Sequence, residues 1–144
     1  MLRTDDSQLH RISTSISDNQ LYPDFCAKAS ISSDLFRNFR RNKVYQSVLE
    51  HVPRREGKLY LDEIKKAFPE YLDHLLELKE NDDWGNPEVY NYEGIGEISP
   101  STLRYIKVYS DLRKLFFGNL NNLKICEIGV GYGGQCRIIN SMEA

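Results

Sequence analysis

A glycine-rich segment near the end of the chain has the residue types of a cofactor-binding loop. Residues 123–139 read LKICEIGVGYGGQCRII, an apolar run followed by four glycines and a helical pattern. Glycine lets the backbone turn with positive φ, and it lets a ligand approach amide groups that a Cβ would shield. Free N–H groups at the start of the next helix favour anionic or polar ligand groups. The pattern predicts a short buried strand over 123–128, a tight loop, and a helix from Gln135.

The glycine spacing fits two classes of cofactor. Gly129, Gly131 and Gly134 match the dinucleotide fingerprint GxGxxG. Glu127 with Gly129, Gly131 and Gly133 instead matches the acidic-x-Gly-x-Gly-x-Gly loop of S-adenosylmethionine (SAM) binders. The carboxylate favours SAM, because it can accept hydrogen bonds from a methionine ammonium but would repel a pyrophosphate. The predicted cofactor-binding residues are Glu127, Gly129, Gly131, Gly133, Gly134 and Gln135. A structural turn without a ligand is the alternative.

The chain before this loop is predicted to be mainly helical. Residues 1 to about 20 are rich in Ser, Thr, Asp and Asn, and we expect a flexible leader over 1–32. Apolar residues at steps of three and four predict one or two amphipathic helices between Ser33 and Pro53. A third helix is predicted after Gly57, and Pro69 separates it from a fourth.

The clearest helix signal begins at Ser99 and Pro100, an N-cap followed by proline at the first helical position. The helix is expected to run to Phe116 or Phe117 and to end at Gly118. Its predicted apolar stripe consists of Tyr105, Val108, Tyr109, Leu112, Leu115 and Phe116. Leu103 and Ile106 lie outside that stripe. The preceding segment 81–98 mixes turn formers with aromatics and predicts an ordered loop.

Charge and composition exclude several classes of function. Nineteen Lys and Arg against twenty-one Asp and Glu give a net charge of -2, so no nucleic-acid or anionic-membrane binder is expected. No apolar stretch approaches the roughly 18 residues of a spanning helix. Three cysteines without a CxxC pair, and an N-terminus without an apolar core, indicate reduced thiols and a cytoplasmic location.

Two clusters of charged residues are candidates for further sites. Arg37, Arg40 and Arg41 could bind a phosphate, but their pattern is more typical of a solvated helix face. The acidic residues at 77–83 and the three scattered histidines lack the spacing of metal ligands, and no metal site is predicted.

Two strings, GIGEISPSTLRYIKV at 94–108 and EIGVGYGGQ at 127–135, together resemble the sugar O-methyltransferase family. The resemblance covers about residues 36–139. It implies a class I, doubly wound domain that uses SAM to methylate a hydroxyl of a sugar or glycan acceptor. It also implies that the helical region covers the site.

Composition, apolar spacing and this resemblance together divide the chain into three regions: the leader 1–32, a helical region 33–118, and the start of a Rossmann-like SAM-binding domain over 119–144. The fold class is thus mainly α, followed by the first β-loop-α unit of an α/β methyltransferase domain. Only ten residues follow Gly134, so we expect a truncated domain, inactive alone, with no assignable catalytic base. The rival hypothesis is a non-catalytic helical module that binds a partner protein through the aromatic loop.

Overall fold

The computed structural model describes residues 20–118, 120 and 123–143, which are mostly helical. The helices are α1 (Leu21–Ile31), α2 (Ser33–Arg37), α3 (Lys43–Val48), α4 (Arg54–Ala67), α5 (Leu75–Lys79), α6 (Pro100–Leu115) and α7 (Gly134–Glu143). Short 3₁₀ segments lie at Phe39–Arg41, Pro69–His74 and Glu80–Asp83. Strands β1 (Tyr90–Tyr92) and β2 (Gly96–Ile98) form an antiparallel hairpin, with Tyr90 opposite Ile98.

The main hydrophobic core forms where α6 packs between α4 and α7. Its fully buried members include Leu61 and Ile64 of α4, Leu103 and Ile106 of α6, and Ile138 of α7. Buried residues of the hairpin segment join the same core: Tyr92, Ile95 and Ile98. The prediction of an ordered loop over 81–98 is therefore confirmed, although the loop contains a short hairpin.

Helix α6 begins as predicted, and the face that it buries overlaps the predicted stripe only in part. The Ser99 hydroxyl accepts a hydrogen bond from the Thr102 amide at 3.1 Å, so the N-cap is confirmed. The predicted stripe is half right: Tyr105, Tyr109 and Leu112 pack in or against the main core. Val108 and Leu115, by contrast, are 39% and 67% exposed. Besides Tyr109, the buried face includes Leu103 and Ile106, which lie outside that stripe, and small polar residues such as Thr102 and Ser110. Counting apolar residues missed this face because its polar members are buried with hydrogen-bond partners.

Two helices begin earlier than predicted. Helix α1 occupies residues 21–31 of the predicted leader, and its Phe25 packs against Tyr45 with ring centres 6.3 Å apart. Residues 1–19 of that leader lie outside the described residues. Helix α4 begins at Arg54, so Gly57 lies inside it rather than before it. A Cβ on Gly57 would clash with the Tyr92 hydroxyl and lie 3.0 Å from Pro100 Cβ, so glycine permits close packing here.

Arg40 is completely buried, which overturns the prediction of a solvated helix face for Arg37, Arg40 and Arg41. Arg37 and Arg41 are exposed as predicted. The difference arises because the chain leaves α2 and forms the 3₁₀ segment Phe39–Arg41, so these arginines do not share one helix face.

The Arg40 guanidinium is surrounded by acceptors from three parts of the chain. Its Nε donates to Glu50 Oε1 at 2.7 Å. Its Nη1 donates to the Asn81 carbonyl at 3.1 Å and lies 3.4 Å from Asp82 Oδ1, while Nη2 donates to Ser99 Oγ at 3.1 Å. These hydrogen bonds offset the cost of removing the charge from water.

The Asp82 carboxylate extends this network to the start of α6. It accepts hydrogen bonds from the Ser99 amide and hydroxyl, both at 2.6 Å, and from the Thr102 hydroxyl at 2.7 Å. The Ser101 hydroxyl donates to Glu50 Oε2 at 2.7 Å. The chain around Arg40, Glu50 and Asp82 is thereby joined to the α6 N-terminus.

We predict that Arg40→Met lowers the free energy of unfolding by about 3–5 kcal/mol, because it leaves two carboxylates buried without their cation. Urea denaturation of both proteins measures the change. Arg55→Met removes an exposed arginine from α4 and should change stability by less than about 0.5 kcal/mol. Equal stabilities of the two variants would contradict the burial of Arg40 between these two carboxylates.

Candidate functional site

The predicted glycine loop is present as a tight turn. Gly129, Gly131 and Gly133 have φ values of 74°, 58° and 84°, in the left-handed region that favours glycine. The Gly133 amide donates to the Val130 carbonyl at 2.9 Å, and the Arg137 amide to the Gly133 carbonyl at 2.9 Å, which begins α7. A Cβ placed on Gly129 or Gly133 would meet nothing within 4 Å, so both face open space.

The predicted strand over 123–128 is not formed. Leu123, Ile125 and Ile128 are 44%, 48% and 96% exposed, rather than buried. A strand needs a neighbour for its backbone hydrogen bonds, and the only sheet in the described part of the chain is the antiparallel hairpin. Of the predicted β-loop-α unit, the structure therefore contains the loop and the helix, which begins at Gly134 instead of Gln135.

Tyr132 holds the glycine loop against the Arg40 network. Its hydroxyl accepts a hydrogen bond from Asn81 Nδ2 at 3.0 Å, and the Arg40 Cζ atom lies 4.8 Å from its ring centre. The ring also packs against Phe39 and Tyr105, with centres 5.6 and 6.3 Å apart. Burial raises the pKa of Tyr132, which keeps the phenol neutral. The Tyr132 side of the loop is therefore fixed, while Gly129 and Gly133 face open space.

Gly134 and Gln135 dock α7 on α6. Gln135 is 8% exposed, and its Nε2 donates to the Tyr105 carbonyl at 3.1 Å. A Cβ on Gly134 would lie 2.6 Å from the Tyr132 hydroxyl, so only glycine fits there. The Gln135 side chain thus packs on α6, whereas Gly129 and Gly133 lie at the open side of the loop.

Glu127 lies next to the first turn of α7. One of its carboxylate oxygens accepts a hydrogen bond from Cys136 Sγ at 3.0 Å, and this contact raises the pKa of the thiol. The positive end of the helix dipole further stabilises a carboxylate at this place. Since an ionised carboxylate has about four acceptor positions, one thiol leaves Glu127 able to accept more hydrogen bonds.

We predict that Glu127→Gln accelerates alkylation of Cys136 by iodoacetamide at pH 8, because losing the negative acceptor lowers the pKa of the thiol and increases its thiolate fraction. Peptide mass spectrometry follows each thiol separately. Cys26, which is exposed on α1, is the internal control and should react at the same rate in both proteins. An unchanged rate at Cys136 would show that the contact with Glu127 is absent in solution.

An apolar groove of about 240 Å³ borders the loop at Gly131 and is otherwise lined largely by α1 and aromatic rings. Tyr45, at the base of this groove, is 4% exposed, and its hydroxyl has no hydrogen-bond partner within the described residues. Burial raises the pKa of this phenol. An unpaired buried hydroxyl lowers stability.

Tyr45→Phe is therefore expected to leave the free energy of unfolding unchanged or to raise it by up to about 1 kcal/mol. The matched control is Tyr109→Phe, whose hydroxyl donates to Glu143 Oε1 at 2.6 Å and accepts from Arg113 at 3.1 Å. That change should lower stability by about 1–2 kcal/mol. Urea denaturation measures the free energy of unfolding of both variants. A larger loss of stability in Tyr45→Phe than in Tyr109→Phe would mean that the Tyr45 hydroxyl has a hydrogen-bond partner in solution.

Sequence reasoning missed the residues behind the loop. Arg40, Asp82 and Ser99 are far apart in the chain, and the glycine pattern assigns no role to Tyr132. The available signal was the position of Arg40 directly after Phe39, within a stretch whose aromatic residues form a second small core.

Other expectations concern thiols, metals and membranes. Cys26, Cys126 and Cys136 are free thiols, as predicted. Within residues 20–118, 120 and 123–143, no group of three or more His, Cys, Asp or Glu side chains could hold a metal ion. None of the described helices combines the length and apolarity required to cross a membrane.

In a comparison with known proteins, no protein-family model, curated protein or solved structure matches the chain. The functional assignment therefore depends on the residues of the site and on their arrangement.

Proposed function

We propose that this chain contributes the glycine loop and the covering helical region of a SAM-dependent sugar O-methyltransferase. The observation that carries the proposal is the glycine loop at Gly129, Gly131 and Gly133, which connects Glu127 to the start of α7. This loop faces open space at Gly129 and Gly133. The resemblance of its two strings to that family supplies the reaction class.

The residues of the loop suit the polar end of SAM. The open space beside Gly129 and Gly133 lets a ligand reach main-chain amides. Glu127 would accept hydrogen bonds from the methionine ammonium, as a charge-assisted contact. Bound SAM supplies an electrophilic methyl group, and the protein contributes chiefly by positioning the sugar hydroxyl in line with it. No catalytic base is assigned.

Glu127 also distinguishes SAM from a dinucleotide. A carboxylate close to the glycine loop would repel the pyrophosphate that a dinucleotide places at the helix N-terminus. The Cys136 thiol is neutral at pH 7, because its contact with Glu127 raises its pKa, and it does not cancel that repulsion.

The rival function, partner binding through the aromatic loop at 81–98, has less support. Tyr92 and Ile95 of this segment are buried in the main core, so they are not available as a binding surface. Trp84 is half exposed, but its ring lies beside Arg137 of α7 and therefore belongs to the surroundings of the glycine loop.

The test is a titration of the ¹⁵N-labelled chain with SAM and with NADH, followed by NMR. SAM should shift the amide signals of Gly129, Gly131 and Gly133, and NADH should not. Glu127→Gln should weaken SAM binding at least about tenfold, since it removes a charge-assisted hydrogen bond. The matched control, Glu97→Gln, changes an exposed carboxylate on β2 and should leave the affinity unaltered.

Two results would contradict the proposal. Shifts of the loop signals with NADH would favour the dinucleotide fingerprint. Equal SAM affinity of the wild type and Glu127→Gln, or no response to SAM, would favour a purely structural turn.

A further inference from the structure

A cleft with two compartments lies beside the glycine loop, on either side of Phe36 and Trp84. The first compartment, about 360 Å³, is lined by Phe36, Phe39, Trp84, Tyr132 and Arg137. The second, about 410 Å³, shares Phe36 and Trp84 and is otherwise polar. Because Tyr132 belongs to the loop and Arg137 to α7, a ligand in this cleft lies next to the proposed cofactor loop.

The shared wall of the cleft consists of exposed aromatic rings. Phe36 is 55% exposed and Trp84 is 49% exposed, although large aromatic side chains are normally covered. An aromatic face carries negative charge density and attracts weakly positive C–H groups. The axial C–H groups of a sugar ring form an apolar face that suits such a wall.

The polar groups of the cleft carry both charges. Arg137 has a buried Nε without a hydrogen-bond partner in the described residues, and its Nη2 lies 4.0 Å from Glu80 in a loose ion pair. In the second compartment, Arg37 and Asp83 are both exposed lining residues.

The carboxylate of Asp82 also lines the second compartment, but it is occupied by Ser99, Thr102 and Arg40. The remaining charges, Arg37 and Arg137 against Glu80 and Asp83, therefore balance. A balanced set of donors and acceptors matches the hydroxyls of a neutral polyol better than an anion.

We propose that this cleft binds the ring of a neutral pyranose, stacked on Trp84 and Phe36 and hydrogen-bonded to Arg137. The inference rests on the proposed function, and it deepens it by locating the acceptor sugar and giving its charge class. The size of the compartments is in the range of small-ligand pockets, roughly 300–1,000 Å³.

Trp84 is the only tryptophan of the chain, so its fluorescence reports on the cleft without a label. The wild type is titrated, without SAM, with the methyl glycosides of glucose, galactose, mannose and xylose. At least one should change the emission saturably, with a Kd near about 1 mM. Glucuronate and glucose 6-phosphate are the anionic probes, and we expect both to bind more weakly.

Arg137→Gln should weaken binding of the methyl glycoside about tenfold, because it removes charged donors from the ligand hydroxyls. Phe36 is exposed, so Phe36→Leu removes the aromatic ring without disturbing the core, and it should also weaken binding severalfold. Arg55→Gln on α4 is the matched charge control and should leave affinity unaltered. Circular dichroism establishes that each variant is folded.

The inference is overturned if no glycoside changes the emission up to about 100 mM, a hundred times the expected Kd. Tighter binding of the anionic sugars, or equal affinities of Arg137→Gln and Arg55→Gln, would overturn it as well. SAM binding without glycoside binding rejects this inference alone. Glycoside binding without SAM binding rejects the proposed function and leaves the sugar site in place.

Discussion

The buried charge of Arg40 is the constraint on which the rest of the structure depends. A guanidinium removed from water is tolerated only when its donors are satisfied, and here the acceptors come from Glu50, Asn81, Asp82 and Ser99. The hydrogen bonds of Arg40 to Asn81, Asp82 and Ser99 determine where residues 80–83 lie relative to the start of α6. They therefore set the position of α6, the helix on which α4 and α7 pack.

The same network supports the glycine loop from behind. Asn81 donates to the Tyr132 hydroxyl, and Arg40 lies against the Tyr132 ring, so the loop rests on a rigid polar base. Its opposite side has no such packing, since positions 129 and 133 face open space. A loop fixed behind and open in front needs little ordering when a ligand binds, which reduces the entropic cost of binding.

Features that depend on neighbouring residues could be predicted from the sequence. The N-cap at Ser99 and the positive φ values of the glycine loop are local, and both were predicted correctly. The burial of Arg40 could not be predicted, because its acceptors lie up to 59 residues away in the chain. The prediction of a strand at 123–128 was wrong for the same kind of reason, since an apolar segment becomes a strand only where another strand pairs with it.

Tyr132 and α7 connect the two proposed binding regions. Tyr132 lies between the glycines of the loop and lines the first compartment of the cleft, while Arg137 lies one helical turn after the loop. A shift of the loop on cofactor binding would move both of these side chains. The network under Tyr132 opposes such a shift, because it would break the hydrogen bond to Asn81. The geometry therefore favours a preformed cleft, in which the same tyrosine would position the proposed cofactor and the proposed acceptor against one another.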